Sequence, residues 1–278
     1  MIVPKYFVEV EKPAAPAEEK MSFPGITPEQ LQSFLFSFLR VSAILVTMPI
    51  VGNAIVPAQI KGGLSLLMTI IVYPFVPHDL SHAAYDFVPL MLRMAAEVFV
   101  GIVIGFTARF IFAGIQFAGD MIGFQMGFSI ASVLDPLTSQ QVSIISEFQF
   151  MMVMIIFLFV DAHHIFLTAM VDSFRVLRIQ DFHASPEFFR RLVMLSGDVF
   201  VIAVKISAPI VAVLFFVNIG LGVIARTVPQ INVFIVGIPL QIAIGLIFLG
   251  ITAPIFLKVV MHLFQGLAAD IHGLLRIM

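Results

Sequence analysis

The chain has 278 residues, 60% of them hydrophobic and 12% charged, with a mean hydropathy of +1.08. A soluble domain is about half apolar and about a quarter charged, so this composition reads as an integral membrane protein. A net charge of −2 leaves no basic footprint for nucleic acid, and the absence of cysteine excludes disulfides, thiolate metal sites and cysteine nucleophiles.

Residues 1–28 are polar and rich in Pro, Glu and Lys, the composition of a disordered extension. They contain no apolar h-region of a cleavable signal peptide. Met21 opens a stretch that leads directly into the first helix, and it is expected to be the true start. Thr27-Pro28-Glu29-Gln30 carries a helix start, with Thr27 as N-cap, Pro28 in the first turn and Gln30 placed to reach back.

Leu31 to Val51 is apolar and long enough to span, with Arg40 inside it and Pro49 near its end. Leu64 to Pro77 is shorter and broken by Pro74. Val88 to Phe112 is a helical run carrying Arg93, Glu97 and Arg109, and Arg93 and Glu97 are spaced to meet on one face. Gly101 and Gly105 form a small-xxx-small pair there. Ala118 to Pro136 follows, a stretch predicted to be partly irregular. Gly119, Gly123 and Gly127 recur every four residues, a stripe that admits another backbone closely. The stripe is either a tight packing face or the lining of an interface or water-filled path. Asp120, Gln125 and Asp135 need protein or water partners at that depth.

Ser143 to Met170 reads as the next helix, with Glu147 before its apolar centre and Asp161, His163 and His164 after it. Asp172 to Arg191 reads as a polar connector. Leu192 to Ile224 contains Asp198, Lys205 and Pro209. Arg226 to Asn232 forms a polar elbow. From Thr227 to Leu257 there is no charge, and Pro239 and Pro254 are expected to kink that run. The tail from Lys258 to Met278 is amphipathic. The pattern predicts an all-α membrane protein with about six hydrophobic helical segments. Counting Lys and Arg in the loops places both termini on the cytoplasmic side.

Arg40, Arg93, Glu97, Arg109, Glu147, Asp161, Lys205 and Lys258 lie in or near apolar runs. Each would cost roughly 2.5–3.5 kcal/mol at a bilayer centre. They are therefore paired structural charges or, if the chain is an ion-coupled transporter, Glu97 or Asp161 carries the proton. Asp161-Ala-His163-His164 is not expected to hold a metal, because adjacent helical side chains point about 100° apart. No serine sits in a nucleophile elbow and no glycine loop cradles phosphate, so no enzymatic activity is expected. Phe occurs 30 times, Tyr 3 times and Trp never, so the interfacial aromatic belt is nearly missing.

Three patches carry a family likeness. They are Leu39-Arg40-Val41 with Pro49-Ile50-Val51-Gly52, the run from Ala118 to Gly127 closing on Asp135-Pro136, and Arg226 to Pro239. On these residues the sequence resembles the FliR family, a subunit of the export gate of the bacterial flagellar type III secretion system. The resemblance runs from about Met21 to the C-terminus. It implies bent helical hairpins stacked in a helical hetero-oligomer with FliP-like and FliQ-like subunits, adjoining FlhB-like and FlhA-like components. Much of that stack would stand above the plane of the inner membrane, at the flagellar basal body. The implied cargo is unfolded flagellar protein, no cofactor is implied, and lipid is the other neighbour.

The resemblance further implies that 29–278 is one gate domain and that 113–137 is a plug-like segment closing the channel. Its plug and pore candidates are Gly119, Met121, Gly123, Phe124, Gln125, Met126, Gly127 and Phe128. Arg40, Arg93, Glu97, Arg109, Glu147, Asp161, Lys205 and Arg226 are candidates for subunit interfaces or buried ion pairs. The equivalent subunit of a virulence injectisome and a standalone ion-coupled transporter are the alternatives.

Overall fold

The computed structural model describes residues 27–53, 55–76, 87–128, 143–179, 182–183, 185–228, 230 and 232–278. Among the described residues the protein is all-α. Its helices are α1 (Pro28–Thr47), α2 (Ala58–Val72, followed by a 3₁₀ turn Tyr73–Phe75), α3 (Phe87–Gln125), α4 (Ile144–Phe159), α5 (Ala162–Val176), α6 (Pro186–Thr227) and α7 (Val233–Ile277). Five are long and apolar enough to cross a membrane, and the bent pair α4–α5 makes a sixth segment. The expected count of segments and the membrane class are met. Almost all of the 1–28 extension, and Asp135, lie outside the described residues.

Local chemistry sets the first boundary as read. Thr27 Oγ1 accepts from Gln30 N at 3.3 Å, and Gln30 Oε1 accepts from Thr27 N at 3.1 Å, a reciprocal capping box with Pro28 just inside.

Other boundaries move. The run expected to end near Phe112 continues as one helix to Gln125, so Ala118–Gln125 is regular rather than irregular. Its glycines are packed against neighbouring helices, and packing holds the helix where propensity alone would weaken it. Both ends of the Asp172–Arg191 connector are helical, because α5 extends to Val176 and α6 begins at Pro186. The Ser143–Met170 run is two helices that turn by 66° across Val160 and Asp161. α6 ends at Thr227 and α7 begins at Val233, so the break between them falls inside the expected Arg226–Asn232 elbow, with Arg226 and Thr227 still helical. By contrast, α7 stays helical through both Pro239 and Pro254 and takes in the amphipathic tail.

At 1.5 Å per residue, α3, α6 and α7 are about 60–70 Å long, roughly twice a hydrocarbon core. None of the three is a simple span.

α3 is the hub, packed against α1, α4, α6 and α7. Glycines place it. A Cβ on Gly101 would stand 2.5 Å from Arg40 O, and one on Gly105 would overlap the Thr47 side chain, so this pair seats α1. Gly114 admits Ile202 of α6, whose Cβ would be 2.9 Å from an added Cβ. An aromatic cluster joins α3, α4 and α7. The Phe157 and Phe264 rings are 5.3 Å apart and the Phe112 and Phe157 rings 5.8 Å apart, both edge to face.

α7 has two unlike halves. In its second half Val260, Phe264, Leu267, Ile271 and Leu274 recur every three or four residues and are buried, an inward stripe. Its end is tied down by Met278 O accepting from His183 N and Ile277 O from Ser185 Oγ, both at 2.7 Å, and by Arg191–Asp270, also 2.7 Å. In its first half Ile235, Val236, Leu246, Ile247, Ile251 and Ile255 all face outward.

Candidate functional site

Two constellations contain most of the candidate residues: the C-terminal end of α3, and the buried ion pair beneath α1.

At the end of α3 the glycine stripe divides into two roles. A Cβ on Gly119 would lie 2.5 Å from Ser146 Cα, and one on Gly123 would collide with Ser143 Oγ, so both face the start of α4. Ser146 Oγ donates to Gln116 O at 2.9 Å across the same crossing. Gly127 belongs to a different device. It has φ 88°, Phe128 N donates to Gly123 O, and Gly127 N donates to Phe124 O, both at 3.1 Å. That is a Schellman stop, and it requires the left-handed backbone glycine supplies. The spacing of four in the sequence therefore joins two packing residues to a helix terminator.

The side chains around that stop sort by burial. Met126 is fully buried among Ile122, Ile145, Ile210 and Leu214, and Gly245 of α7 leaves the room it fills. Met121 is half-buried, with its sulfur 3.7 Å from the Ser207 hydroxyl. Gln125 and Phe128 are half-buried, and Phe124 is 70% exposed. Phe124 is thus the large apolar group of this segment left facing outward.

Of the eight charged candidates, only Arg40 and Glu97 are fully buried. Arg40 Nε donates to Glu97 Oε2 at 2.6 Å, and Nη1 donates to Ser173 O and Leu177 O, both at 2.9 Å. Its guanidinium carbon sits 4.3 Å from the centre of the Phe174 ring. The planar fork suits this arrangement, since it answers a carboxylate, closes the carbonyl end of α5 and stacks on an aromatic face. Glu97, read by spacing toward Arg93 on its own helix, is also gripped across the α1–α3 interface by Arg40.

Arg93 is half-buried one turn earlier on α3. Arg109 is exposed, 5.8 Å from the Phe106 ring centre. Glu147 lies in the first turn of α4 and Arg226 in the last turn of α6, each favourable to the helix dipole. Lys205 is exposed and lines a groove of about 470 Å³, open mouth included, with Gln149, Pro209 and Thr252. Asp161 is exposed at the α4–α5 bend.

Sequence reasoning missed the α4 side of the crossing, Ser143, Ser146 and Gln149. Ser143 does announce itself locally, as an N-cap that accepts from Ser146 N at 3.4 Å.

Residues 31–267 match the family described as bacterial export proteins, family 1. The chain is 37% identical over 250 residues to the flagellar biosynthetic protein FliR of Bacillus subtilis, covering 88% of this chain and 95% of that protein. It is 30% identical over 253 residues to the protein of the same name from Escherichia coli, covering 88% and 96%. The Aquifex aeolicus protein of that name is 28% identical over 244 residues, covering 86% and 93%.

Proposed function

We infer a closing role for the end of α3 in this chain, which belongs to bacterial export proteins, family 1. The chain is a membrane subunit of the flagellar type III export gate, the channel through which unfolded flagellar proteins leave for assembly. The observation that carries this is the family match over residues 31–267, which takes in most of α1, the whole of α3 and most of α7.

The finer reading concerns partners and the seal. The first half of α7 and the outer face of α6 expose Phe200, Phe215, Phe216, Ile247 and Ile251. Helices about twice a bilayer's thickness carry apolar surface beyond what lipid covers. FliP-like and FliQ-like subunits would cover those faces, with FlhB-like and FlhA-like components adjoining, in the bacterial inner membrane at the flagellar basal body. Export is a conducting and positioning task, and the chain takes no catalytic part in this scheme.

Residues 29–278 act as one gate domain in this reading, and 113–137 as its plug-like segment. Residues 129–137 lie outside the described residues. The Schellman stop at Gly127 fixes where α3 ends, Met126 anchors that end, and Phe124 faces outward as an apolar sealing group. Deleting Gly123–Gly127 would remove seal, anchor and stop together, so Phe124→Ala is the cleaner test. In the assembled gate reconstituted in planar bilayers, Phe124→Ala is expected to raise resting ion conductance while the subunit still assembles. Conductance equal to the unaltered gate would remove Phe124 from the seal.

A further inference from the structure

Asp161 stands where α4 and α5 turn by 66°. Its φ of 55° is the one left-handed non-glycine backbone among the described residues, a region that Asp and Asn enter at least cost. Aspartate at a helix N-cap ordinarily accepts an N–H from the first turn. Here the Asp161 side chain caps nothing. It faces two imidazoles instead, with Oδ1 3.9 Å from His163 Nε2 and 3.7 Å from His164 Nδ1.

The two rings are tilted 38° with centroids 4.3 Å apart, and one donor atom from each of the three residues falls within 4.8 Å of the others. The divergence of adjacent helical positions is overcome because the rings use different nitrogens. Nε2 reaches out from His163, while the nearer Nδ1 serves on His164. His163 Nδ1 is buried without a partner, so Nε2 is the nitrogen open to a ligand.

We propose that Asp161 Oδ1, His163 Nε2 and His164 Nδ1 bind one divalent first-row transition-metal ion at the bend. Two imidazoles and a carboxylate suit Zn²⁺, Ni²⁺ or Cu²⁺ rather than Mg²⁺ or Ca²⁺. Around a tetrahedral Zn²⁺, with ligand bonds of about 2.0–2.1 Å, donors stand about 3.3 Å apart. The side chains reach that by rotating, and the freedom is there, since those of Asp161 and His164 are 71% and 64% exposed. The fourth position goes to water. Bound there, the ion joins the turn residue to the first turn of α5 and fixes the angle of the bend.

The test uses the full chain in detergent, purified on a tag without histidine. Zn²⁺ is titrated by calorimetry and Co²⁺ by visible absorption, for the unaltered chain, Asp161→Asn and His164→Ala. Asn keeps the tolerance for left-handed backbone and removes the anionic ligand. The unaltered chain is expected to saturate with a single Zn²⁺ and to give Co²⁺ a tetrahedral ligand-field spectrum. Both variants should bind about tenfold more weakly or worse and lose that spectrum. Zn²⁺ should raise the thermal midpoint of the unaltered chain alone. Equal Zn²⁺ affinity in all three proteins, or an octahedral Co²⁺ spectrum in the unaltered chain, would overturn the site.

Discussion

Arg40→Ala is expected to leave little or no folded chain in the membrane. Glu97 is 2% exposed and Arg40 fully buried, so truncation removes the Arg40 donor from a carboxylate held away from water. Breaking a buried pair from one side costs about 3–5 kcal/mol, against a total stability of roughly 5–15 kcal/mol. The carbonyls of Ser173 and Leu177 lose the Nη1 donor in the same step. Arg40→Lys should fall between, because an ammonium keeps the charge but cannot fork between carboxylate and carbonyls while lying over Phe174. Thermal unfolding of the purified chain, run as a double-mutant cycle with Glu97→Gln, measures the coupling. The pair should be less destabilised than the sum of its singles, and Arg40→Met with Glu97→Leu should recover much of the loss. An Arg40→Ala chain as stable as the original would show that this pair does not hold α1, α3 and α5 together.

Gly119→Leu is expected to have the second largest effect. The obstacle is backbone, with Ser146 Cα 2.5 Å and Ser146 N 2.9 Å from an added Cβ, so no side chain can swing aside. α3 and α4 would have to part, breaking the Ser146–Gln116 hydrogen bond and loosening Met126. Overpacking of this kind costs about 1–3 kcal/mol and occasionally more. Gly222→Leu on α6 is the matched control, since a Cβ there meets nothing within 4 Å. The isolated chain should lose thermal stability with Gly119→Leu and keep it with Gly222→Leu. Equal midpoints for the two would contradict the α3–α4 crossing described above.

What the sequence disclosed follows from how far each interaction reaches along the chain. The Thr27–Gln30 box lies within one turn and was legible in full. The apolar segments were legible as hydropathy, and the glycine pairs 101/105 and 119/123 as close-approach surfaces, but not their partners on α1 and α4. Arg40 was visible as a charge in an apolar run. Its carboxylate lies 57 positions away and its carbonyl acceptors 133 and 137 away, beyond any local rule.

Local rules also misdirected in places. The i,i+4 spacing of Arg93 and Glu97 pointed along α3 and could say nothing of Arg40 on α1. The helix-weakening reputation of glycine made 118–125 look irregular, where the structure has regular helix to Gln125. The bend at Asp161 carries neither glycine nor proline, and only the backbone reveals it.

The most direct measurement of the central claim is intact-complex mass spectrometry after mild-detergent extraction with this chain as bait. The expected result is a large assembly containing one copy of this chain and several copies each of two other small membrane proteins. A monomer or homodimer, under extraction that keeps other membrane complexes whole, would contradict the gate assignment. The outward faces of α6 and α7 would then belong to lipid alone.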